Sequence, residues 1–138
     1  MLEDNINIRV RYADTDQMGF VYYGNYAKYY EIARVELFRN IGLTYKSLEE
    51  MGIGMPVIEM KTNFIMPAKY DEKLVVNIKI PELPKLKIIF FYEIFNEKNE
   101  LINTGETVLT FINLLTRKPK RVPSIMKDKL SKYFEQNK

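Results

Sequence analysis

One long amphipathic helix with aromatic rings along its apolar side is the pattern that most restricts how this chain can fold. Its apolar positions recur three and four residues apart over residues 26–41, and Gly42 follows as a typical helix-ending residue. Asn25 is the predicted N-cap. Because a stripe this rich in tyrosine and phenylalanine needs a broad apolar partner, we expect a sheet to cover it.

Strand-like alternation dominates the rest of the chain. A short strand is predicted over residues 7–13, with Ile8, Val10 and Tyr12 on one face, and a short helix over residues 47–51. Further strands are predicted over residues 57–66, 74–80, 86–95 and 101–114, and a final helix over residues 124–134. Short polar connections favour antiparallel pairing. The pattern predicts an α+β fold whose sheet has one face on the helix and the other in solvent or on a second subunit.

Length and composition are those of a single globular domain. At 138 residues the chain can build one packed core, so we expect one domain over residues 1–138. No apolar run reaches the roughly 18 residues of a membrane-spanning helix, and the first residues lack the basic-then-apolar layout of a signal peptide. We therefore expect a cytoplasmic protein without a transmembrane segment.

Two residue types that carry much of enzyme chemistry are missing from the chain. It has no cysteine and no histidine. Thiol nucleophiles, disulfides, imidazole bases and cysteine or histidine metal sites are therefore excluded. Catalysis would have to use carboxylates, backbone N–H groups, tyrosine, lysine, serine or threonine, and we expect neither a metal ion nor a cofactor.

A polar loop before the long helix carries the candidate chemistry. Asp14 and Asp16 lie in this loop, and Gly19 allows it to turn tightly. The start of a helix offers unpaired N–H groups and partial positive charge, which suit an oxyanion on an attacked carbonyl. A carboxylate in the loop before it could act there as a nucleophile or hold a water as general base. The same residues are also common turn formers, so the residues alone leave both interpretations open.

Three neighbouring motifs resemble the signature of the 4-hydroxybenzoyl-CoA thioesterase family. They are DTDQMG at residues 14–19, VYYGNY at residues 21–26 and YEIAR at residues 30–34. The resemblance extends over nearly the whole chain and implies the hotdog fold, in which an antiparallel sheet wraps one long central helix. It also implies an acyl-CoA thioesterase, which hydrolyses a thioester to the free acid and CoA.

The resemblance implies roles for individual residues. The second Asp of the Asp-x-Asp pair is catalytic in the family, which corresponds to Asp16 here. The backbone N–H at the position of Tyr23 polarises the thioester carbonyl. Many bacterial acyl-CoA thioesterases of the Tol-Pal-associated branch carry histidine at that position, whereas Tyr23 matches the aromatic-acyl branch. Glu31 is the second candidate carboxylate, because another hotdog branch uses a glutamate at about this place in the helix.

The resemblance further implies a homodimer or homotetramer with the acyl thioester in a tunnel between subunits. Asn63 and Phe64 would line the substrate pocket from the partner subunit. The C-terminal stretch of residues 117–138 is basic, with eight Lys or Arg residues against two acidic ones. The residues predicted to bind the phosphates of CoA are Lys85, Lys87, Arg117, Lys118, Lys120 and Arg121. The alternative is that they form an ordinary solvated surface.

Other functions fit the residues less well. Hotdog enzymes that dehydrate or hydrate acyl thioesters rely on histidine, which this chain lacks. Nucleic-acid binding is not expected, since Tyr26, Tyr29 and Tyr30 fall on the apolar stripe of the helix. Hydrolysis of acyl-carrier-protein thioesters and a non-catalytic hotdog scaffold are the alternatives left open. The sequence does not distinguish aromatic from aliphatic acyl groups.

Overall fold

The computed structural model describes residues 1–135, which form an antiparallel sheet and three α-helices. The strands are β1 (Leu2–Arg9), β2 (Ile53–Gly54), β3 (Val57–Phe64), β4 (Lys73–Ile80), β5 (Lys87–Phe95), β6 (Leu101–Asn113) and β7 (Pro119–Lys120). The helices are α1 (Tyr26–Asn40), α2 (Tyr45–Glu50) and α3 (Ser124–Ser131). Two single 3-10 turns, Tyr12–Asp14 and Tyr23–Asn25, lie between β1 and α1. No helix within residues 1–135 is long and apolar enough to cross a membrane.

The sheet is held together by the long strand β6. Strands β1, β4, β5 and β6 follow one another in space, and β3 lies on the other side of β6. The two-residue strands β2 and β7 pair with the C-terminal end of β6. Residues Phe64 and Asn103 face each other at one end of the β3–β6 pair, and Val57 and Leu109 at the other. Strand β3 is thus an edge strand of this chain.

The apolar stripe of α1 packs against the inner face of the sheet. Its residues Tyr29, Tyr30, Ala33, Leu37 and Phe38 are completely buried. The sheet contributes buried apolar side chains at every second position of β4 and β5, as the period of a strand requires. Each buried aromatic side chain removes a large apolar area from water, which makes this layer the main source of stability. The hotdog arrangement predicted from the sequence is confirmed.

A polar layer crosses the core where α1 approaches β6. The Tyr30 ring stacks on Tyr92 with 4.2 Å between centroids, and its hydroxyl bonds to Asn103 and, at 2.8 Å, to Thr62. Burial raises the pKa of Tyr30 to about 12, so the phenol stays neutral. Gly105 makes room for this ring, because a Cβ there would lie 2.8 Å from Tyr30 Cε2 and closer still to the hydroxyl. The register between helix and sheet is therefore fixed by hydrogen bonds as well as by apolar packing.

The predicted position of the first strand was wrong. It was placed at residues 7–13, but β1 spans Leu2–Arg9 and pairs with β4 over that whole length. Ile8 and Val10 are buried as predicted, whereas Tyr12 is 79% exposed because the Tyr12–Asp14 turn interrupts the alternation. The polar residues of β1 hid the strand, because Asp4 interrupts the apolar positions on its inner face, where it accepts a hydrogen bond from Asn40 at the end of α1.

Smaller differences concern the ends of elements. The Asn25 side chain does not cap α1; it donates a hydrogen bond of 2.8 Å to the Asp14 carbonyl. Helix α2 begins earlier than predicted, because the Thr44 hydroxyl accepts the Ser47 N–H at 3.1 Å and caps it. Strand β3 ends two residues before the predicted Met66, and α3 ends at Ser131 instead of Phe134. These ends depend on local hydrogen bonds that periodicity does not reveal.

Candidate active site

Asp16 lies in a tight turn between β1 and α1. Its Oδ1 accepts the backbone N–H groups of Met18 at 2.9 Å and Phe20 at 3.3 Å. Gly19 has a φ of 78°, which other residues adopt only with strain, so the turn requires glycine here. Both bonds use Oδ1, and the side chain is only half-buried. The turn thus fixes the direction of the carboxylate while part of it stays accessible.

Tyr23 begins the 3-10 turn that leads into α1. A backbone N–H at the first position of such a turn has no acceptor within the helix, and it carries the partial positive charge of a helix start. The loop is tied to this turn by a β-bridge between Thr15 and Val21. Tyr23 is 67% exposed, so most of its side chain lies at the protein surface.

Asp16 and Tyr23 line the same cavity, which has a volume of about 360 Å³. Phe64 forms part of its wall, with its ring 5.3 Å from that of Tyr26 and 6.5 Å from that of Tyr23. The other lining residues are Met18, Phe20, Val21, Ile65, Met66 and Pro67. Burial raises the pKa of Tyr26, so its phenol is neutral. Asp16 and Tyr23, the first residue of the turn that leads into α1, therefore line one cavity whose wall is otherwise mostly apolar.

Asp14, two residues before Asp16 in the same loop, is buried. Its Oδ2 accepts the Tyr29 hydroxyl at 2.8 Å and the Arg11 N–H at 3.0 Å, and its Oδ1 is paired with the Lys28 ammonium. Burial alone would raise the pKa of Asp14, but the bonds from Lys28, Arg11 and Tyr29 outweigh it and hold the pKa below its ordinary value. Sequence reasoning identified Asp14 only as a turn residue.

The remaining predicted pocket residues lie apart from this cavity within one chain. Glu31 is on the exposed side of α1, and Arg34, which could have paired with it, is buried and donates to the Tyr92 hydroxyl at 3.1 Å. The Asn63 amide donates to the Thr104 hydroxyl at 3.2 Å on the outer face of the sheet. Their roles stay predictions. Among the described residues, no group of three or more carboxylate, histidine or cysteine side chains is arranged to hold a metal ion.

The predicted basic residues lie at the opposite end of the sheet. Asn103 faces the Phe64 end of β3, and Thr110, seven residues further along β6, faces Lys87. At about 3.4 Å per residue, the two ends are roughly 24 Å apart along the strand. Lys120 lies in β7 beside the same end, and Arg117 and Lys118 are in the turn that joins β6 to β7. One chain does not bring these residues to Asp16.

Part of the basic group surrounds a cavity of its own. Lys85 and Arg121 line a space of about 310 Å³ at the start of α3. Lys127 lines it too, although sequence reasoning did not single out this residue. Its position three residues after the helix-starting Ser124 was the available signal, because residues at that spacing share one side of a helix.

The residues at the Asp16 cavity are chemically suited to attack on an acyl carbonyl. A carboxylate can act on the carbonyl carbon, and an N–H at a helix start can stabilise the charge on its oxygen. A family model for the thioesterase-like superfamily matches residues 10–130. The chain belongs to this superfamily. It is a thioester hydrolase of the hotdog fold, as the sequence motifs indicated.

Individual members of the superfamily are similar over most of the chain. The acyl-CoA thioesterase YbgC of Helicobacter pylori is 34% identical over 132 residues, covering 89% of this chain and 96% of that one. The acyl-CoA thioester hydrolase YbgC of Escherichia coli is 30% identical over 116 residues, covering 84% and 87%. The structure of DHNA-CoA thioesterase from Staphylococcus aureus superposes with a TM-score of 0.92 at 36% identity and covers 97% and 92%.

Proposed function

We propose that the chain hydrolyses acyl-CoA thioesters in the cavity beside Asp16. The acyl group lies against the apolar wall, the carbonyl oxygen accepts the Tyr23 N–H, and Asp16 faces the carbonyl carbon. The observation that carries this proposal is that Asp16 and Tyr23 line one mostly apolar cavity of about 360 Å³. The two YbgC relatives are named for acyl-CoA thioester hydrolysis.

Two reaction paths are compatible with this arrangement. In the first, an Asp16 oxygen bonds to the carbonyl carbon, the C–S bond breaks, and CoA leaves as a thiolate that takes a proton from water. Water then hydrolyses the resulting mixed anhydride and frees Asp16. In the second, Asp16 accepts a proton from a water that attacks the carbonyl carbon directly. The C–S bond of the resulting intermediate then breaks, and CoA leaves as a thiolate that takes the proton from Asp16. In both, negative charge develops on the carbonyl oxygen, where the Tyr23 N–H stabilises it.

A homodimer through β3 would complete this site. Edge strand β3 carries Ile58, Met60 and Phe64 with 52%, 44% and 53% of their surface exposed. The Thr62 hydroxyl bonds to Tyr30 in the core, so the residues at even positions near it are on the inner face. Exposed apolar side chains and unpaired backbone groups on one strand favour pairing with a second copy. A two-fold axis would make that pairing antiparallel and self-complementary.

Antiparallel pairing of two β3 strands also bears on the basic residues. It sets the Val57 end of the partner's strand beside the Phe64 end of this one. The basic end of the partner subunit then approaches the Asp16 cavity, although the two are roughly 24 Å apart along the strand in one chain. We infer that the phosphates of CoA bind the partner's basic residues, with Lys127 added to those predicted from the sequence. Measuring the molecular mass of the protein in solution distinguishes a dimer from a tetramer.

The central test replaces Asp16 by asparagine. Asp16→Asn keeps the size of the side chain but removes the charge, so we expect kcat to fall roughly 10²- to 10⁴-fold with KM little changed. The matched control is Asp128→Asn, on the exposed surface of α3, which should retain parental kinetics. Release of CoA is followed with a thiol-detecting reagent. Near-parental turnover by Asp16→Asn would refute the proposed role of this residue.

The substrate of the protein can be identified by measuring hydrolysis of a panel of thioesters. The panel contains short, medium and long aliphatic acyl-CoAs and aromatic ones, because the Staphylococcus aureus relative is named for DHNA-CoA and the cavity wall has both aromatic and aliphatic residues. One acyl group presented on CoA and on acyl-carrier protein separates these two carriers. Inactivity across the whole panel would favour the non-catalytic scaffold. A cytoplasmic location and the absence of a cofactor stay predictions.

A further inference from the structure

We propose that Asp14 is a positioning residue, which sets the Asp16 carboxylate and the Tyr23 N–H at their working separation. This inference rests on the proposed function, because it assigns a role in the same reaction. Asp14 does not line the cavity, so it acts through its neighbours and does not contact the substrate.

The side chain of Asp14 anchors the loop to the first turn of α1. Only 2% of Asp14 is exposed. Two of its three donors, the Tyr29 hydroxyl at 2.8 Å and the Lys28 ammonium, belong to that turn of the helix. The third, the Arg11 N–H at 3.0 Å, belongs to the residue between β1 and the Tyr12–Asp14 turn, two positions after the strand ends. Bonds to a charged, buried acceptor are strong, so one carboxylate joins the segment after β1 and the helix start rigidly.

The backbone carbonyl of Asp14 anchors the loop a second time. It accepts the Tyr22 N–H at 2.9 Å and the Asn25 side-chain amide at 2.8 Å. Tyr22 directly precedes the turn that begins at Tyr23, and Asn25 is the last residue of that turn. Asp16 follows Asp14 by only two residues, so both candidate catalytic groups are held from one point.

This arrangement explains why the motif contains two aspartates with different surroundings. The second carboxylate is half-buried at the cavity, whereas the first is completely satisfied by neighbouring donors. Catalytic geometry is sensitive to displacements of about 1 Å, even when they originate away from the reacting atoms. Weakening the hydrogen bonds of Asp14 is therefore expected to lower kcat more than it raises KM.

The positioning role of Asp14 can be tested by replacing Lys28, which does not remove a buried side chain. Replacing Asp14 itself would remove the acceptor of three donors, including the buried Tyr29 hydroxyl, and endanger folding. The side chain of Lys28 is 44% exposed, so Lys28→Met removes the ammonium but keeps the aliphatic stem. Arg39→Met is the matched control, because Arg39 is 56% exposed and forms an ion pair with Glu36 at the other end of α1.

The experiment combines kinetics with hydrogen exchange. Well below the melting temperature, Lys28→Met should lower kcat about 10- to 100-fold and leave KM within about twofold, and Lys28→Arg should restore most of the loss. The Tyr22 N–H, which bonds to the Asp14 carbonyl, should exchange faster in Lys28→Met than in the parent. Arg39→Met should change neither measurement.

Two results would overturn the inference. One is parental kcat together with parental exchange of the Tyr22 N–H in Lys28→Met. The other is a rise in KM at unchanged kcat, since that would make Lys28 a substrate-binding residue. If the parent protein hydrolysed no thioester of the panel, the proposed function would fail, and faster exchange in Lys28→Met would still support the anchoring role of Asp14.

Discussion

Asp14 and Asp16 are two residues apart and have the same side chain, yet their surroundings separate their roles. Asp14 is buried against Lys28 and Tyr29, and Asp16 is half-buried at the cavity. The motif predicted Asp16 and Tyr23, and the structure places both at one cavity. Phe64 was predicted from the family resemblance to line the pocket of a partner subunit, but here it lines the cavity of its own chain. The partners of Asp14 could not be predicted, because contacts between a loop and the next helix depend on how the chain folds back.

The stability contributed by Asp14 is expected to depend on pH. The pKa of Asp14 is lowered in the folded protein from its ordinary value of 3.8. Its contribution is therefore fully present above that value and is lost as the pH falls through the lower folded pKa. Compared with Asp14→Asn, the parent should be more stable by about 1.5–3 kcal/mol at pH 6, and this advantage should shrink below pH 3.8.

Urea unfolding of both proteins at pH 6 and below pH 3.8 measures this difference. Asp128→Asn, which changes an exposed carboxylate on α3, controls for general effects of charge and should differ little from the parent at either pH. A stability difference that did not change with pH would contradict the proposed pKa shift.

At the level of elements, the inward faces were easier to predict than the ends. Periods of two and of about 3.6 residues identify buried faces because burial follows the geometry of each element. Thus α1, β4 and β5 were predicted well, whereas β1 was displaced and the short strands β2 and β7 were missed. A two-residue strand has no period, and it forms here because β6 is long enough to pair beyond its main neighbours.

The close approach of α1 to β6 predicts that Gly105→Ala is strongly destabilising. A Cβ at this position overlaps the Tyr30 ring, which cannot withdraw because it stacks on Tyr92. Overpacking of this kind costs roughly 1–3 kcal/mol, measured as a loss in the free energy of unfolding. If the cause is the ring, the same change should cost much less in a Tyr30→Leu background. Equal costs in both backgrounds would show that the overlap is not the reason.

At the level of the whole molecule, the outer edge of strand β3, which has no neighbouring strand in this chain, is the proposed contact with a second copy. The exposed apolar residues Ile58, Met60 and Phe64 lie next to the Asp16 cavity or along the same strand. A charge placed among them would oppose association with a second copy. The assembly can therefore be tested separately from the catalytic residues.

We expect Met60→Lys to convert the parent oligomer into monomers and to reduce turnover, because the partner subunit is proposed to hold the phosphates of CoA. Met51→Lys is the control, since Met51 is exposed to a similar extent, 48% against 44%, but follows α2. Sedimentation equilibrium gives the mass of each protein. A monomeric parent, or a variant with the parental mass, would argue against the β3 interface.

The sequence by itself determined the class of fold and the buried face of α1, and its motif predicted the carboxylate that we propose for the reaction. These features are local: periodicity reflects the geometry of single elements, and the aspartate motif lies within one loop. The tertiary structure decided that Asp14 is an anchor, that Gly105 receives the Tyr30 ring and that the basic residues lie at the far end of the sheet. These features join residues that are distant in the chain, and they exist only once the sheet register is set.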